Sequence, residues 1–294
     1  MNKVGFIGVG IMGKSMVRNL MKAGFELHIY ARTKSKVEDV ISEGAQFHES
    51  IKDCVQDCDA VITIVGFPQD VEEVYFDEGN ILDSAKEGAY LIDMTTTSPQ
   101  IAEKIYEEGT KRGFHVMDAP VTGGDTGAKA GTLSILVGGE KEDYEACMPL
   151  FEAMGTNINY QGKAGCGQHC NLANQIMIAG TLSGVCEALT YAKEQGLDPE
   201  VFMKSVATGA AGSKQLDTFG PKILKDDYAP GFFMKHFIKD MKLALIEANR
   251  KGLSLDVLSM VLANYEELEQ EGYGDLGTQA LMKFYDEEHR NTEE

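Results

Sequence analysis

Positive charge is scarce in this chain: 27 Lys and Arg stand against 46 Asp and Glu in 294 residues, a formal net charge of −19. So acidic a surface lacks the cations that nucleic-acid phosphates or an anionic membrane face require, and neither is expected as a partner. Cysteine is scarce too, at six residues, which excludes a disulfide scaffold and suits a reducing compartment. Two pairs are spaced C-x3-C, Cys54/Cys58 and Cys166/Cys170, the second enclosing His169. Neither is the C-x2-C knuckle of a zinc site, and spacing places no fourth ligand, so no metal is expected. No unbroken apolar run approaches the roughly 18 residues of a membrane-spanning helix. The opening Met1-Asn2-Lys3-Val4-Gly5-Phe6-Ile7-Gly8 is interrupted by glycine at once and has no signal-peptide pattern, so a cytoplasmic location is expected.

What is present is ordinary globular material, 43% apolar and 25% charged, long enough for two domains. The two halves follow different patterns. Up to about residue 160, short β-rich runs at 3–7, 26–30, 60–65, 90–93, 114–119 and 133–137 alternate with amphipathic stretches. That alternation predicts a mostly parallel sheet covered by helices on both faces. From about Gly165 the pattern is helical, with segments at 171–194, 199–207, 219–225, 235–250, 255–271 and 278–285 punctuated by Gly and Pro. The fold class is therefore α/β, an N-terminal Rossmann domain followed by an all-α domain with a long first helix. Gly162, Gly165 and Gly167 suit a bend between them, which sets the domains at 1–163 and 164–294. Residues 286–294 form a charged tail expected to fray.

Gly8-Val9-Gly10-Ile11-Met12-Gly13 matches G-x-G-x-x-G, preceded by one strand and followed by a helical stretch and a second strand. This is the context of a dinucleotide-binding turn. Gly8 allows the tight turn, Gly10 lets the backbone approach a pyrophosphate, and Gly13 lets helix and strand pack closely. Ile11 and Met12 begin the helix, whose free N–H groups and positive dipole end face the phosphates. The end of the second strand selects the cofactor. An NAD site would carry Asp or Glu there, but the chain reads Ala31-Arg32-Thr33-Lys34-Ser35-Lys36. Arg32, supported by Thr33 or Lys36, suits a ribose 2′-phosphate, so NADP is expected over NAD. Val121-Thr122-Gly123-Gly124 follows a strand at the sheet's carboxyl edge, where backbone N–H groups and the Thr122 hydroxyl can hold a small carboxylate.

With these motifs in order, the chain resembles the β-hydroxyacid dehydrogenase family over nearly its whole length. Gly5–Gly13 looks like the family's cofactor signature. Asp118-Ala119-Pro120-Val121-Thr122-Gly123-Gly124 looks like its substrate motif, with Thr where Ser is usual. Asp93-Met94-Thr95-Thr96-Thr97-Ser98-Pro99 is similar to its Ser-Thr-x-Ser-Pro loop, which implies that Thr96 touches the nicotinamide end. Val65-Gly66-Phe67-Pro68 stands where the family has a Leu-Pro pair, implying that it lines the cofactor's path. Lys239-Asp240 resembles a second-domain signature, implying that Lys239 approaches cofactor or substrate. The helical half is too short for the family's 6-phosphogluconate enzymes.

One departure concerns the chemistry. The family pattern G-x-G-x-x-x-K-x-x-N reads here from Gly165 to Asn174 with Asn171 at the lysine, followed by Gln175. Reducing an aldehyde requires hydride and a proton on oxygen, and a carboxamide cannot ionise near neutral pH. Asn171, Asn174 and Gln175 share one helical face through i, i+3 and i+4 and keep the pocket polar. The expected function is NADP-dependent interconversion of a small β-hydroxyacid and its semialdehyde, impaired or altered at Asn171. The alternatives are a non-catalytic NADP-binding protein, or a reductase of imines or carbonyls that needs no lysine acid. The helix 171–194 is apolar around more than one face, through Ile176, Met177, Ile178, Ala179, Leu182, Val185, Ala188 and Leu189. It requires cover on several sides, which predicts a homodimer or homotetramer.

Overall fold

Strand β1 (Lys3–Ile7) has Val4 and Phe6 pointing to one side of a sheet and Ile7 to the other, all buried. The same two-sided burial recurs in β2 (Glu26–Tyr30), β4 (Ala60–Thr63), β5 (Tyr90–Asp93) and β6 (His115–Asp118). Such strands can only lie inside a layered α/β structure. The structure, a computed structural model, describes residues 1–285; the tail expected to fray lies outside the described residues. With β3 (Gln46–Phe47), β7 (Val121–Thr122), β8 (Leu133–Gly139) and β9 (Gly155–Gly162), these strands form one nine-stranded sheet. Its order is β3-β2-β1-β4-β5-β6-β8-β7, with β9 on β8. Pairing is parallel from β3 to β6, antiparallel at β6–β8 and β7–β8, and parallel again at β8–β9. The order reverses at β1, between β2 and β4, and connections from β1 and β4 part there at the carboxyl edge.

The sequence pattern missed β3, β7 and β9. The first two have two residues each, too short for alternation to register. β9 reads Gly-Thr-Asn-Ile-Asn-Tyr-Gln-Gly and is largely exposed, so it carries little apolar signal.

The chain divides into two compact units between Asn171 and Leu172. The bend expected at 163/164 lies eight residues before that division, and hydrogen bonds hold the residues between them to the first unit. Asp118 accepts from the backbone N–H of Gly165 (2.7 Å) and of Gln168 (2.8 Å). Gln168 Nε2 donates to the Thr95 carbonyl (2.7 Å), and its Oε1 accepts from Thr97 N–H (2.9 Å). These bonds tie the first turn of the long helix, Cys166–Glu194, to the sheet. A Cβ on Gly167 would stand 2.4 Å from the Leu136 carbonyl oxygen, so only glycine admits this close approach. The helix starts five residues before its expected position for the same reason.

The second unit is helical, with segments Pro199–Val206, Lys214–Ile223, Met234–Arg250 and Asp256–Gln270 and a 3-10 segment Thr278–Tyr285. Lys214–Ile223 begins earlier than expected because Ser213 caps it, accepting from Leu216 N–H. Its core gathers Leu182, Cys186, Leu189, Phe237, Met241, Val261 and Tyr265. The helix Cys166–Glu194 is long and apolar enough by length and composition alone to cross a membrane, although it holds no unbroken apolar run of that length. Interspersed Ser, Thr and Gly hide this from a count of consecutive apolar residues. Ala179, Leu182, Cys186 and Leu189 on this helix are buried in the unit's own core.

Candidate active site

The glycine turn lies between β1 and the helix Ile11–Lys22. Gly8 has φ +99°, and a Cβ there would meet the Ile64 carbonyl oxygen at 2.0 Å. A Cβ on Gly13 would meet the Gly8 carbonyl oxygen at 2.1 Å. Both glycines are thus fixed by the protein's own packing. Gly10 differs: it is exposed, caps the helix N-terminus, and would have nothing within 4 Å of a Cβ. The space in front of Gly10 fits a dinucleotide pyrophosphate, with the helix amides behind it. Ile11 is exposed beside it and Met12 packs toward the core.

The next strand ends are joined by hydrogen bonds. Thr63 Oγ1 donates to Asp93 Oδ1 (2.7 Å), which also accepts from Thr95 N–H (3.1 Å). Val65 N–H donates to Thr95 Oγ1 (3.0 Å), so the loop Val65-Gly66-Phe67-Pro68 is bound to the Thr95–Thr97 loop. Asp93 and Asp118 are register partners on β5 and β6, both buried. Burial pushes the Asp93 carboxyl up to about 6. Burial raises Asp118 too, opposed by the N–H groups of Gly165 and Gln168.

Asn171 is buried and its Nδ2 donates to Thr96 Oγ1 at 2.6 Å. The residue that the motif spacing is expected to set at the family's lysine position and the residue expected at the nicotinamide end are therefore in contact. Asn171 Oδ1 is buried without a hydrogen-bond partner. His169, two positions earlier on the same helix, is exposed. Thr122 is half-buried on β7 opposite Ser134, and Gly123 and Gly124 follow with φ of +129° and +64°, a turn that favours glycine.

Arg32 stands otherwise than expected. Its guanidinium donates to Asp70 in a short hydrogen bond and lies 3.7 Å from Glu73. Both carboxylates come from the helix Pro68–Phe76, so the fork expected to be open for a 2′-phosphate already holds acidic partners. Thr33 and Lys36 are exposed beside it.

Asn174, Gln175 and Lys239 belong to the second unit. There Asn174 Nδ2 donates to Gln175 Oε1 (3.2 Å), and Gln175 Nε2 donates to Asp240 Oδ2 (2.7 Å). Lys239 Nζ lies 3.1 Å from Asp240 Oδ1. Asp240 is fully buried, which raises its carboxyl, while the Lys239 ammonium opposes the rise. Sequence reasoning had not singled out Asp93, Asp70 or Gln168. Asp93 had a signal as a carboxylate at a strand's carboxyl end, whereas Gln168 had none.

Comparison with known proteins bears on the family and the fold. Residues 3–162 match the NAD binding domain of 6-phosphogluconate dehydrogenase, and residues 165–285 match the NAD-binding domain of NADP-dependent 3-hydroxyisobutyrate dehydrogenase. The chain is 49% identical to an uncharacterized oxidoreductase of Bacillus subtilis over 96% of its length and 98% of the relative's. It is 44% identical to probable 3-hydroxyisobutyrate dehydrogenase-like 1 of Arabidopsis thaliana, over 95% of this chain and 84% of the other. The solved structure of Mycobacterium tuberculosis 3-hydroxyisobutyrate dehydrogenase with L-serine superposes with a TM-score of 0.88 at 26% identity, covering 96% of this chain and 98% of that one. By fold, glycine turn and relatives together, the chain belongs to the β-hydroxyacid dehydrogenase family of NAD(P)-dependent oxidoreductases.

Proposed function

We propose that this chain is an NADP-linked oxidoreductase that interconverts a small β-hydroxyacid and its semialdehyde, with a chemical step slowed by Asn171. The observation that carries the reading is the hydrogen bond from the buried Asn171, at the position expected for the family's lysine, to Thr96. The reduced nicotinamide supplies hydride when bound. The protein's own part is to hold the pyrophosphate against Gly10 and the N-terminus of Ile11–Lys22, and the substrate carboxylate at Thr122-Gly123-Gly124. L-serine, named with the M. tuberculosis relative, is itself a small β-hydroxyacid and supports that substrate class. Asn171 orients the substrate's oxygen but has no ionisable proton to give it. Loss of general acid help costs about 10²–10⁴ in rate.

The test is a panel of semialdehydes assayed with this chain and with Asn171→Lys, alongside NADPH binding. Asn171→Lys is expected to raise kcat by roughly 10²–10⁴ and to add a basic-limb ionisation to the pH–rate profile. Cofactor affinity should stay nearly unchanged. Turnover by the parent at an ordinary rate, on the order of 1–10³ s⁻¹, overturns the impairment.

The unpartnered Asn171 Oδ1 favours a second reading. With its amide nitrogen held by Thr96, the side chain offers an acceptor, which suits a substrate that brings its own proton, such as a protonated imine. In that case the parent reduces a cyclic imine faster than any semialdehyde, and Asn171→Lys slows it.

A further inference from the structure

The pairing of Arg32 concerns cofactor choice, and it rests on the reading that Arg32 faces the adenosine ribose. Arg32 follows β2, where dinucleotide folds read the ribose 2′ position. Its side chain is 63% exposed and contacts two carboxylates, Asp70 and Glu73. Asp70 is the anchored partner. Its side chain is only 18% exposed, and its Oδ2 accepts from Phe67 N–H at 2.9 Å, closing the first turn of Pro68–Phe76. One carboxylate therefore caps the helix after β4 and holds the guanidinium after β2. Glu73, one turn on and more exposed, adds a second negative charge.

We propose that Asp70 sets how strongly this chain separates NADP from NAD. Its carboxylate occupies the guanidinium that a 2′-phosphate would use. A 2′-phosphate must take Arg32 from Asp70 or bind as a third anion beside Asp70 and Glu73. A ribose 2′-hydroxyl meets no such competition, because it can donate directly to a carboxylate. Asp70 thus does from the first turn of the helix after β4 what an acidic residue at the end of the second strand does in an NAD site. The preference for NADP created by Arg32 is held down, and NAD remains a usable cofactor. Like charges a few ångströms apart at a surface, together with a competing exposed ion pair, correspond to roughly a tenfold effect on affinity.

The test uses cofactor fragments that lack nicotinamide, so neither substrate nor turnover enters. Binding of adenosine 2′,5′-bisphosphate and of 5′-AMP is measured by calorimetry on the full chain and on Asp70→Asn, Arg32→Ala and the double variant. Asn at 70 keeps an oxygen for Phe67 N–H, so the cap survives loss of the charge. Asp70→Asn is expected to tighten the bisphosphate roughly tenfold. It should leave 5′-AMP within about twofold or weaken it, and the gain should vanish with Arg32→Ala. An unchanged bisphosphate affinity in Asp70→Asn, with loss in Arg32→Ala, overturns the role of Asp70 and leaves Arg32 as the reader. A gain that persists without Arg32 also overturns it, since it then reflects net charge alone. If Arg32→Ala changes nothing in either background, the NADP reading fails and the Asp70 proposal with it. Should Asp70→Asn unfold, Glu73→Gln gives the same comparison with a smaller expected gain.

Discussion

Gly10→Ala and Gly13→Ala add the same methyl group to one turn three residues apart, and the structure assigns them opposite consequences. At Gly13 the new Cβ would stand 2.1 Å from the Gly8 carbonyl oxygen and 3.2 Å from Phe6 Cε1. The first neighbour is backbone, and Gly8 is itself wedged against Ile64 at φ +99°, so the helix must move off the sheet. Overpacking of this kind costs about 1–3 kcal/mol or more. At Gly10 the Cβ meets nothing within 4 Å, and φ −88°, ψ −154° is extended backbone that alanine adopts. Only the mild preference for glycine over alanine at a helix N-cap is lost, under about 1 kcal/mol. The methyl would stand where the proposed pyrophosphate approaches the backbone. Losing a charge-assisted hydrogen bond there costs about 1.5–3 kcal/mol, or roughly ten- to a hundredfold in Kd. Urea unfolding followed by circular dichroism and NADPH titration by fluorescence measure the two quantities separately. Gly10→Ala should fold like the parent and bind NADPH poorly, whereas Gly13→Ala should lose stability first. An unchanged NADPH Kd in Gly10→Ala, or an undiminished stability in Gly13→Ala, refutes the reasoning.

Two further expectations come from buried groups and exposed ones. The folded Asp93 carboxyl, pushed up to about 6 from an ordinary 3.8, contributes stability that is complete below about pH 4 and lost as pH rises through about 6. Asp93→Asn should flatten the stability profile across that window by an amount on the order of 2–3 kcal/mol; equal pH slopes in parent and variant exclude this. Met177, Tyr191, Val257 and Met260 are more than half exposed on the helices Cys166–Glu194 and Asp256–Gln270, and Gly180 of the first lies beside Val257 of the second. Light scattering should therefore find a dimer or larger at micromolar concentration and a shift toward monomer in Met177→Glu; a monomeric parent excludes it.

Residues close together in the chain were legible from the sequence. Two-sided strands, a glycine turn between strand and helix, and a helical second half follow from periodicity and from what glycine permits, because both act within a few residues. The expectation at Asn171 came from the same kind of signal, a motif read by its spacing. What the tertiary structure decided involves groups far apart in sequence. Asn171 meets Thr96 across 75 positions, and Asp118 holds Gly165 and Gln168 across 47 and 50. Those bonds set the start of the long helix at Cys166, a place that no local signal marks. Arg32 is the sharpest case. Its own loop carries no carboxylate, so the sequence offered an unopposed cation; the sheet order that sets β1 between β2 and β4 brings Asp70 to it from 38 residues away. Local chemistry determined which groups the chain owns, and strand order determined which of them meet, because a side chain's charge and reach are local properties while its partners are set by the path of the whole backbone.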